Sequence, residues 1–185
     1  MKLTDREASE RGISKEGVAA LGFGLTVVMM AVVGAALMQT GENLSGGGPI
    51  VSTSADEVEP GTGPDAQWVR IYHEGGETVD VRNLSIIVRL PDHNKRSTLS
   101  DLPTAAINPS NYDHNHIFTL EREGTGIAGA IDANETDGSW RADESFAFRL
   151  EPSRVRLEDG QQVVVVLRHT GTESRLAKLE LVVGE

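Results

Sequence analysis

The chain has no cysteine. No disulfide can staple the fold, and thiolate catalysis, CxxC redox chemistry and cysteine-ligated zinc or iron–sulfur sites are excluded. Basic residues are scarce too. Seventeen Lys and Arg stand against 28 Asp and Glu, a net charge of −11, and only four of the 17 are lysine. That balance predicts no basic patch able to track phosphates, and so argues against nucleic acid as a partner. An acidic, arginine-biased surface suits a very salty medium, and a halophilic source is expected. Aromatics make up 4 % of the 185 residues, so any core has to be built mainly from Val, Leu and Ile.

Charge is missing altogether from 25 consecutive positions between Glu16 and Glu42. About 20 apolar residues at ~1.5 Å each already cross a bilayer core of ~30 Å. The run Val18–Met38 has no polar face, as a helix in lipid or one packed among copies of itself requires. Lys2, Arg6, Arg11 and Lys15 precede it, and no Lys or Arg follows until Arg70. The positive-inside rule then puts the N-terminus in the cytoplasm and the rest outside. Ala20, Gly24, Ala31 and Ala35 fall within an arc of about 60° on this helix. Small side chains on one face let helices approach closely, so these four are the candidate helix-packing residues.

Residues 42–66 read as a flexible linker. They hold Gly46-Gly47-Gly48-Pro49 and Pro60-Gly61-Thr62-Gly63-Pro64 and show no apolar period. From Gln67 the period becomes two. Val69 and Ile71, then Leu84, Ile86, Val88 and Leu90, then Phe146 and Phe148, then Val163, Val165 and Leu167, and finally Leu179, Leu181 and Val183 alternate with their neighbours. The unbroken run 163–167 predicts a central strand. Pro91 to Asn115 reads mostly as loop, and Ile117–Leu120 as a short strand. Six to eight strands without a second helical pattern predict an all-β antiparallel sandwich of immunoglobulin-like type over 67–185.

Catalytic signatures are absent. No GxSxG elbow occurs, and the glycine-rich segments lack the strand–glycine–helix setting that cradles phosphate. No enzyme activity, cofactor or metal is expected. The nearest approach to a metal motif is His114-x-His116 beside Asp113, two imidazoles that a strand would point the same way. Asp132, Glu135 and Asp137 lack the spacing of a calcium loop. Three sequons are present, Asn43-Leu44-Ser45, Asn83-Leu84-Ser85 and Asn134-Glu135-Thr136, and the outward topology makes their asparagines N-glycosylation candidates. Asn134 falls in the turn-rich stretch Gly124 to Gly138, and Asn83 at a strand start, the least accessible of the three settings.

Arg11-Gly12 directly ahead of Ile13-Ser14 and the apolar run resembles the leader junction of an archaeal type IV pilin or archaellin precursor. Gly75-Gly76-Glu77-Thr78-Val79-Asp80 leading into Leu84–Val88 resembles a hairpin of the haloarchaeal pilin domain. Gly160–Val165 with Arg168-His169-Thr170 resembles its late strands. The resemblance implies a leader at 1–12, cut by a prepilin peptidase between Gly12 and Ile13. It implies a membrane and filament-core helix at 13–41, a self-polymer built by a pilus assembly machinery, and an extracellular filament that serves adhesion. Lys15-Glu16 departs from the family pattern, since Glu16 would be the fourth mature residue. Major pilin, minor pilin and unpolymerised pilin-like part of a motility machine therefore stay open, as does a single-pass anchored binding domain.

Overall fold

The computed structural model describes residues 47–120 and 126–184, all within the compact unit Gln39–Glu185. The leader, the apolar run and Asn43 lie outside the described residues. Among those described, no helix is long and apolar enough to cross a membrane, and every paired strand is antiparallel.

Eleven strands follow in order: β1 (Val51–Ala55), β2 (Trp68–Gly76), β3 (Val79–Asp80), β4 (Leu84–Leu90), β5 (Lys95–Leu99), β6 (Tyr112–His114), β7 (Ile127–Gly129), β8 (Ser139–Trp140), β9 (Ser145–Arg149), β10 (Gln162–His169) and β11 (Ser174–Val182). They form a four-stranded sheet in the order β1-β2-β9-β7 and a five-stranded sheet in the order β11-β10-β4-β5-β6. β3 and β8 make a separate small ribbon. The two sheets share one core. Val69, Ile71, Phe146 and Phe148 of the first meet Ile86, Val88, Leu90, Val163, Val165 and Leu167 of the second. The alternation read from the sequence thus sends these residues inward. The core is aliphatic in number, but its largest fully buried side chains are Trp140, Phe118, Phe146 and Phe148. Trp140 packs edge-on against both His73 and Phe146, with ring centroids 4.9 Å apart in each case.

Several sequence expectations need correction. The linker does not reach residue 66, because Val51–Ala55 is an edge strand paired with β2. Its inward positions are held by Val51 and Thr53, so a threonine conceals the apolar period. Val58, also in the supposed linker, is fully buried and bridges Val183 in parallel. Pro91 to Asn115 is mostly loop, as expected, but it also holds the two short strands β5 and β6. Pro91–His93 is a single 3₁₀ turn, closed by Asn94 in the left-handed region at φ 49°. β5 follows at once, and its inward Ser97 hides the period in the same way. Ile117–Leu120, expected as a strand, belongs to no strand among the described residues and meets its neighbour at the isolated bridge Phe118–Leu150. The Gly75–Asp80 segment is not half of a hairpin with β4, since β2 and β4 belong to different sheets and the segment crosses between them. Gly76, at φ 109°, lets β2 end against Ile50, whose carbonyl would stand 2.2 Å from a Cβ there.

Three buried polar residues stand out, one that ties the core together and two with an unmet polar atom. Gln67 is fully buried. Its amide nitrogen donates to the carbonyls of Leu150 (3.1 Å) and Val155 (2.9 Å), and its amide oxygen accepts from Leu157 N–H (2.7 Å). One side chain thus anchors the 150–157 connection to the start of β2. Thr53 and His73 sit opposite each other on β1 and β2, and Thr53 Oγ1 and His73 Nδ1 are buried without a hydrogen-bond partner. An unmet buried hydroxyl carries a desolvation cost. Thr53→Val should therefore raise stability by on the order of 1 kcal/mol in a thermal or denaturant melt. A loss of stability would show that the hydroxyl has a partner, such as a buried water.

Candidate functional site

Of the sequence-derived candidates, Arg11, Gly12 and Ile13, the four small residues Ala20, Gly24, Ala31 and Ala35, and Asn43 lie outside the described residues. The other two, Asn83 and Asn134, fall at the same end of the sandwich. The connections there are joined by backbone hydrogen bonds, from Val81 N–H to Gly138 O (3.0 Å), Thr170 N–H to Asn83 O (2.8 Å) and Thr104 N–H to Ile131 O (3.0 Å). The chain also reaches the sandwich at this end. At Gly48 it runs so close to the β10–β11 turn that a Cβ would stand 2.0 Å from Ser174 Oγ.

Asn134 is the better presented of the two. Asp132, buried, folds the turn beneath it by accepting from Asn134 N–H (2.8 Å) and Asn134 Nδ2 (3.0 Å). Its backbone carbonyl accepts from Glu135 and Thr136 N–H. The Asn134 side chain stands exposed, with one amide N–H still to offer. Asn83 ends the 3₁₀ turn Val81–Asn83 and is half-buried. Its sequon serine, Ser85, lies on β4 and is buried. If the domain is glycosylated, glycan is therefore expected at Asn134 in preference to Asn83. Glycopeptide mass spectrometry would check this, and sugar on Asn83 with none on Asn134 would refute it.

Between the two asparagines lies an open depression of about 520 Å³, lined by Asp80, Arg82, Ala133 and Asp137 among others. A second, of about 430 Å³, adjoins it and is lined by Glu135, Asp137, Arg141 and Glu144. The charges are paired. Arg82 reaches both oxygens of Asp80, with Nε at 3.0 Å and Nη2 at 2.7 Å, while Arg82 N–H caps Asp80 Oδ1. Arg141 Nη2 stands 2.6 Å from Asp137. These guanidiniums, helped by backbone N–H groups, hold the Asp80 and Asp137 carboxyls below their ordinary values. A carboxyl whose folded pKa is depressed favours the fold above the unfolded value, and that contribution fades as pH falls through the folded one.

The histidines do not converge. His114 has φ 65°, so the strand period breaks there and His116 does not share its direction. His114 Nδ1 binds Asp113 (2.8 Å), and His116 stacks on Tyr112 with Nε2 3.1 Å from Phe118 O. Glu135 accepts from Gly129 N–H at 2.6 Å, and Asp132 is occupied by Asn134, so the candidate calcium carboxylates act as loop caps. Among the described residues no three His, Asp or Glu side chains gather as a metal site would need.

In comparisons with models of known families and with curated proteins, nothing matches the chain. What the loop end offers chemically is an accessible asparagine amide and a surface rich in carboxylates. Sequence reading anticipated the exposed turn at Asn134. It did not anticipate that residues from four separate connections would meet.

Proposed function

We propose that the chain is a structural subunit of an archaeal type IV pilus-like extracellular filament. The observation that carries this reading is the junction Arg11-Gly12-Ile13 set immediately ahead of 25 uncharged residues. A peptidase needs a short charged leader, and a filament core needs a helix with no polar side. In this reading the precursor lies in the membrane with its N-terminus in the cytoplasm. A prepilin peptidase cuts after Gly12, and the assembly machinery draws the helix out to pack against copies of itself. The domain is displayed outside, its work is mechanical and adhesive, and its acidic surface suits a halophilic setting.

An immunoglobulin-like form for that domain is supported by strand order. Naming β1, β2, β4, β5, β6, β7, β9, β10 and β11 as A, B, C, C′, C″, D, E, F and G yields sheets ABED and GFCC′C″, the arrangement of variable-type immunoglobulin domains. The cysteine pair of antibody domains is missing. Here the shared core holds Trp140, Phe118, Phe146 and Phe148 among its aliphatic residues.

The test is processing. A subsite that accepts glycine has little room for a bulky side chain, so Gly12→Trp should leave a full-length precursor in the membrane while the wild type is cut. A Gly12→Trp chain processed like the wild type would remove the reading. Wild-type chain that is cut but stays in the membrane would favour an anchored binding domain or an unpolymerised pilin-like part.

A further inference from the structure

β1 is the first strand of the domain, and it is weakly committed to the core. It lies at the edge of its sheet and, among the described residues, forms a ladder with β2 alone. Its inward positions are Val51, Thr53 and Ala55, of which Ala55 is only partly buried. By contrast, β10 sends in Val163, Val165 and Leu167, all fully buried. The β1–β2 ladder also slips register between Ser52 and Thr53, which interrupts its hydrogen bonds. The pair just after the slip is Thr53 and His73, the two buried side chains with an unmet polar atom. Opening the strand returns both atoms to water, which offsets part of what the ladder loses.

The two ends of β1 are held differently. At its start Glu77 closes a clasp. Glu77 N–H donates to Ile50 O (2.8 Å), and Glu77 Oε2 accepts from Ile50 N–H (2.9 Å). Both residues are exposed. His73 Nε2 lies 3.0 Å from Glu77 O, so the clasp and the unmet pair share one side chain. Along the strand, Ser54 reaches Glu74, and Tyr72 donates to Asp56 (2.7 Å), both on the exposed side. Just past the strand, Val58 is fully buried and bridges Val183 in parallel, and its carbonyl accepts from Gly184 N–H (3.1 Å). Val58 is therefore the stop, beyond which opening would uncover the core.

We propose that β1 is a strap that unclasps at Glu77 and opens as one unit as far as Val58, while the rest of both sheets stays folded. Edge position, an interrupted ladder, few apolar anchors and two unmet polar atoms all lower the free energy of opening. A segment of that kind opens sub-globally as its own cooperative unit. Opening frees the eight residues 50–57, about 27 Å of extended chain. That length is added to the linker between the apolar run and the domain. In a filament, a displayed domain then gives under load before it unfolds. This use, though not the opening itself, rests on the filament reading.

The absence of cysteine gives a clean test. Membranes holding full-length chains with Thr53→Cys or Ser97→Cys would be treated with a maleimide. Both positions are buried and face inward, Ser97 on β5 inside the five-stranded sheet. The Thr53→Cys chain should be labelled at least about 100-fold faster than the Ser97→Cys chain, because only the strap has to open. Adding Glu77→Ala removes one hydrogen bond of the clasp, and should speed labelling of Thr53→Cys about fivefold and leave Ser97→Cys unchanged. Equal rates for the two chains, or a Glu77→Ala effect of equal size on both, would overturn the proposal. Amide hydrogen exchange in the full-length chain is the second measurement, and Val51–Ala55 should show one common level of protection. Protection that rises steadily from Val51 to Ala55 is simple fraying, and would overturn it too. Fast labelling of Thr53→Cys in cells that never make filaments leaves the strap standing and removes the filament reading. Filaments from cells in which Thr53→Cys labels no faster than Ser97→Cys do the reverse.

Discussion

Gln67→Leu is expected to cost the domain on the order of 3–5 kcal/mol, a large part of a typical folding stability. The size of the side chain hardly changes, so packing is not the reason. The amide makes three hydrogen bonds to the backbone of 150–157 from a fully buried position. Leucine would leave two carbonyls and one N–H buried and unmet, at about 1–3 kcal/mol each before relaxation. Gln67→Glu should do little better, because a carboxylate would face two carbonyl oxygens. Chemical denaturation of the full chain in detergent, followed by the fluorescence of Trp68 and Trp140, measures the effect. A midpoint within 0.5 kcal/mol of the wild type would mean that the 150–157 segment is held by other contacts.

The second large effect concerns assembly. If the run Val18–Met38 forms the filament core, each Val or Leu moved from lipid to a helix interface stays shielded from water. Burying one such side chain is worth ~1.5–3 kcal/mol, and the sum over the run reaches tens of kcal/mol before ordering costs. Ala20, Gly24, Ala31 and Ala35 are the proposed closest contacts. Gly24→Leu should impair filament growth while the precursor is still inserted and processed and the domain still folds. Val28→Lys should fail earlier, since a lysine at the centre of a membrane helix costs about 2.5–3.5 kcal/mol on insertion scales. Counting filaments by microscopy, alongside membrane fractionation and the size of the processed chain, separates the two defects. Normal filaments from Gly24→Leu would exclude this helix face from the interface.

What the sequence made legible follows from which side chains face inward. β4 and β10 could be read because the inward positions of Leu84–Leu90 and Val163–Leu167 are all apolar. β1 and β5 could not, because Thr53 and Ser97 take inward positions and break the period. Phe118 misleads in the other direction, since it is core without belonging to a ladder. Pairing is harder still. Nothing local in the sequence says that Arg89 faces Arg96 or that Arg168 faces Arg175, and the latter depends on a bulge after Leu167. The exposed turn at Asn134 was legible from its composition, whereas the meeting of four connections around it rests on long-range hydrogen bonds. Gln67 gives no sequence signal at all, because a buried glutamine is spelled like an exposed one.

The most direct test is mass spectrometry of the native protein from sheared surface filaments. The account predicts that the chain is present there and begins at Ile13. A chain confined to the membrane fraction and beginning at Met1, or one cut beyond Met38, would contradict it.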